Sequence, residues 1–118
     1  MNREIKFRVW DNKWHHWVGE FEAKSLNNPE YSITQFTGLK DKNGKEIFEG
    51  DILAQEYYID EEFIGGETYI HKSKVCFHNG YFYNDEDNKF SLILAAEKGQ
   101  NGHVEVIGNI FENPNLLP

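Results

Sequence analysis

A chain of 118 residues that is 39% hydrophobic, with nine Phe, six Tyr and three Trp, holds enough apolar surface for one core and too little for two domains, and its aromatic content excludes a disordered chain. The net charge of -8 opposes a phosphate backbone and excludes broad electrostatic nucleic-acid binding, leaving only local basic strips to weigh. With Cys76 as the one cysteine, a charged start at Met1-Asn2-Arg3-Glu4 and no apolar run longer than Leu92 to Ala96, the expectation is a soluble, disulfide-free cytoplasmic protein without a signal peptide or membrane span.

Taken in chain order, Ile5, Phe7 and Val9 alternate with Lys6, Arg8 and Trp10, the period of a half-buried strand. Asp11-Asn12 supplies a turn, and Trp14 to Val18 is expected to return as the second arm of a hairpin. Residues 22 to 30, with Asn27-Asn28-Pro29, read as a loop into a strand from Tyr31 to Phe36. Thr37-Gly38 and Asp41-Lys42-Asn43-Gly44 then read as turns in which Gly or Asn accepts positive φ, with Ile47-Phe48 buried between them and Glu49-Gly50-Asp51 as a further tight bend.

Ile52 and Leu53 open a strand expected to run to Ile59, and Gly65-Gly66 is expected to turn the chain toward Tyr69 and Ile70. Val75 to His78 and Tyr81 to Tyr83 flank Asn79-Gly80, the favoured type I′ pair, and predict a hairpin. Asp85 to Asn88 is a polar turn, Phe90 to Leu94 a strand or short helical turn, and Lys98 to Gly102 a loop. Val104 to Phe111 is the last long strand, kinked at Gly108 and stopped by Asn113-Pro114. About eight short strands with closely spaced turns and no sustained helical period indicate an all-β barrel or sandwich.

No reactive constellation emerges from the residue types. His15, His16, His71, Cys76 and His78 are potential metal ligands, but Cys76-x-His78 has no second closely spaced pair to complete a zinc site. Asp85-Glu86-Asp87-Asn88 lacks the Gly and terminal Glu of a calcium loop. A Cys76 dyad with His71 or His78 has no electropositive surround to make a thiolate, and Asp60, Glu61 and Glu62 read as solvated acids rather than an acid and base pair. Gly38, Gly44 and Gly50 match no phosphate-binding fingerprint. The expectation is therefore a protein that is not an enzyme and takes no cofactor or metal.

Three surfaces remain as binding candidates. Arg3, Lys6 and Arg8 form a basic strip that Tyr81, Phe82 and Tyr83 would complement as a base-stacking platform, and Lys40, Lys42 and Lys45 form a second strip, with Asp and Glu interleaved in both. Trp10, Trp14 and Trp17 are read first as core and second as an exposed patch. Glu56, Asp60, Glu61, Glu62 and Glu67 form an acidic stretch free of Lys and Arg, read first as solvated surface and second as an acidic face that mimics nucleic acid or blocks a nucleic-acid enzyme. Exposed edges at Tyr57 to Ile59, or the tail Leu116-Leu117, would allow a second copy to pair.

Arg3-Glu-Ile-Lys-Phe-Arg-Val-Trp-Asp11, the block from Gln35 to Leu53 that contains Phe36-Thr-Gly-Leu-Lys-Asp-Lys-Asn-Gly-Lys-Glu-Ile-Phe-Glu-Gly-Asp-Ile52, and Val104-Glu-Val-Ile-Gly-Asn-Ile-Phe-Glu-Asn-Pro114 resemble, in order, the three signature blocks of the YopX-like family of phage and prophage proteins. The stretches 19 to 30 and 56 to 72 carry no resemblance. The likeness implies a small SH3-like β-barrel with additional hairpins and little helix, encoded by a phage or prophage of a Gram-positive bacterium. It brings no activity, so no catalytic or binding residue carries over. The function expected is an accessory binding module for a host or phage macromolecule, protein before nucleic acid, with an acidic nucleic-acid mimic as a narrower form.

Overall fold

A computed structural model of the chain describes residues 5–19, 27–62, 65–78, 81–84, 90–91 and 104–117. They are almost entirely strand: β1 Phe7–Asp11, β2 His16–Val18, β3 Tyr31–Lys40, β4 Glu46–Phe48, β5 Asp51–Glu61, β6 Gly65–His78, β7 Tyr81–Asn84, β8 Phe90–Ser91 and β9 Val104–Asn109, followed by a short 3-10 turn over Pro114–Leu116. Two antiparallel sheets result, ordered β2-β1-β3-β4 and β8-β7-β6-β5-β9. One sheet curls into a half-barrel and the other lies with it, so the all-β, SH3-like expectation holds. Among the described residues no helix is long and apolar enough to cross a membrane.

The core gathers Ile47, Leu53, Val75, Phe82, Val104 and Val106 from five strands, with Leu39 packed against it. Each such side chain, fully buried, contributes roughly 1.5–3 kcal/mol relative to exposure. Sequence alternation on β1 misjudges its inward face: Ile5 and Phe7 are exposed, while Val9 and Trp10 are both buried. Adjacent residues of one strand face opposite sides, so β1 is covered on both at its C-terminal end.

Several turns fall where the sequence places them. The Asp11 carboxylate accepts the N–H groups of Lys13 and Trp14 at 2.9 and 3.0 Å and closes the first hairpin, although β2 begins only at His16 and Trp14 sits exposed in the turn. Asp41 accepts from Asn43 and Lys45, both at 2.9 Å, around Gly44 at φ 81. Two turn readings are corrected. Thr37-Gly38 lies inside β3, where Gly38 at φ 89 sits in a bulge between the Phe36↔Phe48 and Lys40↔Glu46 pairs, and the Thr37 hydroxyl donates to Ile47 O at 2.7 Å. Gly65 and Gly66 pair with Glu61 and Asp60 as the first residues of β6, so the chain reverses before them.

The Val75 to Tyr83 hairpin is present, pairing His78 with Tyr81 and Phe77 with Phe82. Its Asn79-Gly80 pair, the turn at Asp85 to Asn88, the residues after Ser91 and the loop at Lys98 to Gly102 lie outside the described residues. The kink at Gly108 is a register shift: Ile52 pairs with Gly108 and Leu53 with Val106, leaving Ile107 over. The Leu116 side chain folds back on Gly108, so the tail docks on its own strand.

β5 and β6 run far beyond their neighbours. β9 pairs β5 only as far as Gln55, and β7 pairs β6 only from Val75 onward. Between them the ladder continues from Glu56↔Ile70 to Glu61↔Gly65 as an arm that is two-stranded among the described residues, and residues 65–70 are all exposed.

Candidate functional site

The three recognisable sequence blocks, far apart in the chain, meet at one junction. Arg8, on β1, reaches across to the start of β5, where its Nη2 donates to Asp51 Oδ1 at 2.6 Å. The same nitrogen lies 3.5 Å from Glu49 O, and Nε donates to Thr34 Oγ1 at 3.2 Å. Its guanidinium also lies 4.4 Å from the ring centre of Trp17 and 4.7 Å from that of Phe48. Asp51 is 1% exposed, and its second oxygen accepts the Phe48 N–H at 2.8 Å, which fixes the bend between β4 and β5. Burial pushes the Asp51 carboxyl above its ordinary pKa, against the Phe48 N–H and the Arg8 charge that pull it down.

This geometry answers the basic-strip reading. Arg8 is held by Asp51, Lys6 pairs with Glu46, and Lys42 pairs with Glu105 at 3.5 Å. Lys6, Arg8 and Lys42 thus hold acids of their own chain, and Arg3 lies outside the described residues. Phe82, at the centre of the supposed stacking platform, is 1% exposed and belongs to the core. The side chains of Tyr81 and Tyr83 lie outside the description.

The third block completes the junction through a side-chain-built turn. Asn109 Oδ1 accepts the N–H groups of Phe111 and Glu112 at 3.0 and 2.8 Å, and its Nδ2 donates to Glu112 Oε1 at 3.0 Å. Ile110 N donates to Gly50 O at 2.9 Å, tying this turn to the second block. Gly50 holds φ 88 where a Cβ would lie 3.4 Å from the Phe111 ring. Gly108 is needed for space: a Cβ there would be 2.6 Å from Asn113 Oδ1 and 2.7 Å from a Leu116 methyl.

That turn delivers Phe111 to the two tryptophans of the first hairpin. Phe111 stacks on Trp10 at 5.8 Å between ring centres and meets Trp17 edge-on at 5.7 Å, while Trp10 and Trp17 meet edge-on at 5.0 Å. Trp17 Nε1 donates to Glu112 Oε1 at 2.6 Å. Hydrogen bonds from Asn109 and Trp17 hold the Glu112 carboxyl below its ordinary pKa. An open pocket of about 500 Å³ lies here, lined by Trp10, His15, His16, Trp17, Phe111 and Glu112. His15 carries φ 56, an uncommon conformation for a residue with a Cβ, at the pocket rim. The tryptophans therefore divide: Trp10 is core, Trp17 is half-buried in the pocket wall and Trp14 is exposed. Sequence reading missed Phe111, Glu112 and Asn109 because Asn109-Ile-Phe-Glu-Asn-Pro114 reads simply as the end of a strand; the Asn at its start is the one local sign of a side-chain-capped turn.

The histidines and Cys76 are not drawn to one point. His15 and His16 lie at the first hairpin, His71 opposite Gln55 in the β5–β6 ladder and Cys76 near the other end of β6, its Sγ 3.6 Å from Lys74 O. The His78 side chain and Asp85 to Asn88 lie outside the description, and among the described residues no group of three potential ligands could hold a metal. A second open cleft, of about 570 Å³, runs between β3 and β6 with Ile33, Phe77 and Ile110 among its walls. The acidic stretch falls on the β5–β6 arm, where Glu67 accepts from the Tyr69 hydroxyl at 2.9 Å.

Comparison with known proteins agrees with this architecture. The crystal structure of protein EF1440 from Enterococcus faecalis is similar to the chain with a TM-score of 0.69 and 26% sequence identity, over 99% of this chain and 100% of that one. No curated protein matches it in sequence. The family model described as YopX protein matches residues 15–118, which takes in the second strand of the first hairpin, the whole Gln35 to Leu53 block and the closing turn, and begins after the Arg3 to Asp11 block. On that match the chain belongs to the YopX family.

Proposed function

We propose that this chain is a non-enzymatic binding module, an accessory protein of a phage or prophage acting in the bacterial cytoplasm, that engages a protein with a basic surface through the β5–β6 arm. The arm itself is the observation that carries this reading. A two-stranded ribbon is marginally stable in water on its own, and this one continues beyond Gln55 and Lys74 without a third strand among the described residues. Its sequence holds Glu56, Asp60, Glu61, Glu62 and Glu67, with no Lys or Arg between Lys45 and Lys72. Ile70 is 63% exposed and Tyr69 38%, supplying apolar contact area beside that charge. Acidic potential around an apolar contact speeds encounter with a positive patch and selects against acidic partners.

Retention from host-cell lysate on the immobilised chain, compared with the variant Glu56→Gln, Asp60→Asn, Glu61→Gln, Glu62→Gln, tests the reading. A basic protein held by the natural chain, released by salt and lost from the variant, is the expected result. Equal retention by both, or turnover of a small metabolite with nothing retained, would overturn it. Adding duplex DNA sharpens the outcome: displacement of the captured partner makes the arm an occupant of a nucleic-acid groove.

A further inference from the structure

We propose that the pocket formed by Trp10, Trp17, Phe111 and Glu112 binds the guanidinium of an arginine side chain presented by a partner protein. The proposal rests on the binding-module reading and adds to it a second contact point, at the first hairpin and the closing turn rather than on the arm.

Aromatic faces carry negative quadrupole density and attract cations, most strongly when the charge lies within about 6 Å of a ring centre. The pocket offers two indoles and a phenyl ring, positioned by their mutual contacts and by the Asn109-capped turn. Beside them stands a carboxylate. Both hydrogen bonds that Glu112 accepts, from Trp17 and Asn109, go to Oε1, and Oε2 accepts none among the described residues. An anionic oxygen at the edge of an aromatic floor suits a planar cation that stacks and donates at once, which an arginine does and a compact ammonium does less well. The molecule contains its own example: the Arg8 guanidinium lies over Trp17 and bonds a carboxylate at 2.6 Å, yet it does not line the pocket. A nucleotide would bring its phosphate toward Glu112 on a chain of net charge -8, which disfavours it.

The test titrates the full chain with N-acetyl-arginine methylamide at pH 8. The readouts are indole N–H resonances and Trp fluorescence. The expected result is saturable shifts at Trp10 and Trp17, with affinity about tenfold lower for the uncharged citrulline analogue and for Glu112→Gln. Glu112→Gln keeps an oxygen for Trp17 and Asn109, and the citrulline arm leaves the protein unaltered, so a folding defect cannot mimic the outcome. No shift, or equal shifts with arginine and citrulline, overturns the proposal. Equal response to capped lysine or tetramethylammonium overturns the assignment to arginine. A silent pocket alongside arm-dependent capture overturns this inference alone; a responsive pocket alongside capture indifferent to the arm overturns the proposed function alone.

Discussion

The junction of the three blocks and the β5–β6 arm are built on opposite principles. At the junction nearly every polar group is answered by another part of the chain: Arg8 by Asp51, Thr34 and Glu49, Trp17 by Glu112, Asn109 by Phe111 and Glu112. The ties of Arg8 and Trp17 join segments distant in sequence, and Asn109 caps the turn that brings Glu112 to Trp17, so the junction closes the fold. The arm is a continuous local ladder whose residues 65–70 are exposed, and it closes nothing. The junction uses its polar groups chiefly to hold the fold together, whereas the arm concentrates the acidic residues Glu56, Asp60, Glu61, Glu62 and Glu67 with no Lys or Arg among them.

The most damaging way to probe this contrast is Asp51→Ala, which strands the Arg8 guanidinium. Removing one member of a buried pair costs about 3–5 kcal/mol, measured by urea denaturation, and the double variant Arg8→Met, Asp51→Leu is expected to recover much of that loss. Next comes Gly108→Ala, which pushes the 3-10 turn off β9 and is expected to cost about 1–3 kcal/mol by the same measurement.

Asp41 offers a pH test of the junction side. Burial raises its carboxyl, but the N–H groups of Val106, Lys45 and Asn43, helped by the Lys45 charge, bring it below its ordinary value. A carboxyl lowered in the folded state contributes stability above its unfolded pKa of about 3.9 and loses it as pH falls through the folded value. Asp41→Asn is therefore expected to lower stability at pH 7 and to flatten the acid limb of a melting curve followed from pH 7 down to about pH 2.

The smallest effect belongs to the arm. Ile70→Ser, at a position 63% exposed, is expected to change stability by less than about 0.5 kcal/mol while weakening partner capture. Hydrogen exchange completes the comparison: backbone amides of 56–61 are expected to exchange faster than those of 51–55, which β9 also borders. Equal protection would erase the distinction between the two regions.

Much of this was legible along the chain. Gly44, Gly50 and the Asp41 turn were found because positive φ and carboxylate-capped turns are local demands that few residue types meet. The Val75 to Tyr83 hairpin followed from alternation about Asn79-Gly80, and the acidic stretch was visible as charge. Arg8 shows the limit. Beside Lys6 it looked like part of a basic strip, since nothing near it in sequence announces a carboxylate 43 positions away. Gly38 was misread for a related reason: a positive-φ glycine serves a turn or a bulge equally, and the choice depends on whether β4 lies alongside.

By itself, then, the sequence determined the strand-rich character, most of the turns and the placing of acid, because each depends on residues within a few positions of one another. Tertiary structure alone decided that Trp10, Trp17, Phe111 and Glu112 share a pocket, that Arg8 is held in an ion pair and that β5 and β6 outrun their neighbours. Those outcomes depend on which distant strands lie side by side, and strand pairing is set by the burial of whole faces rather than by any local signal.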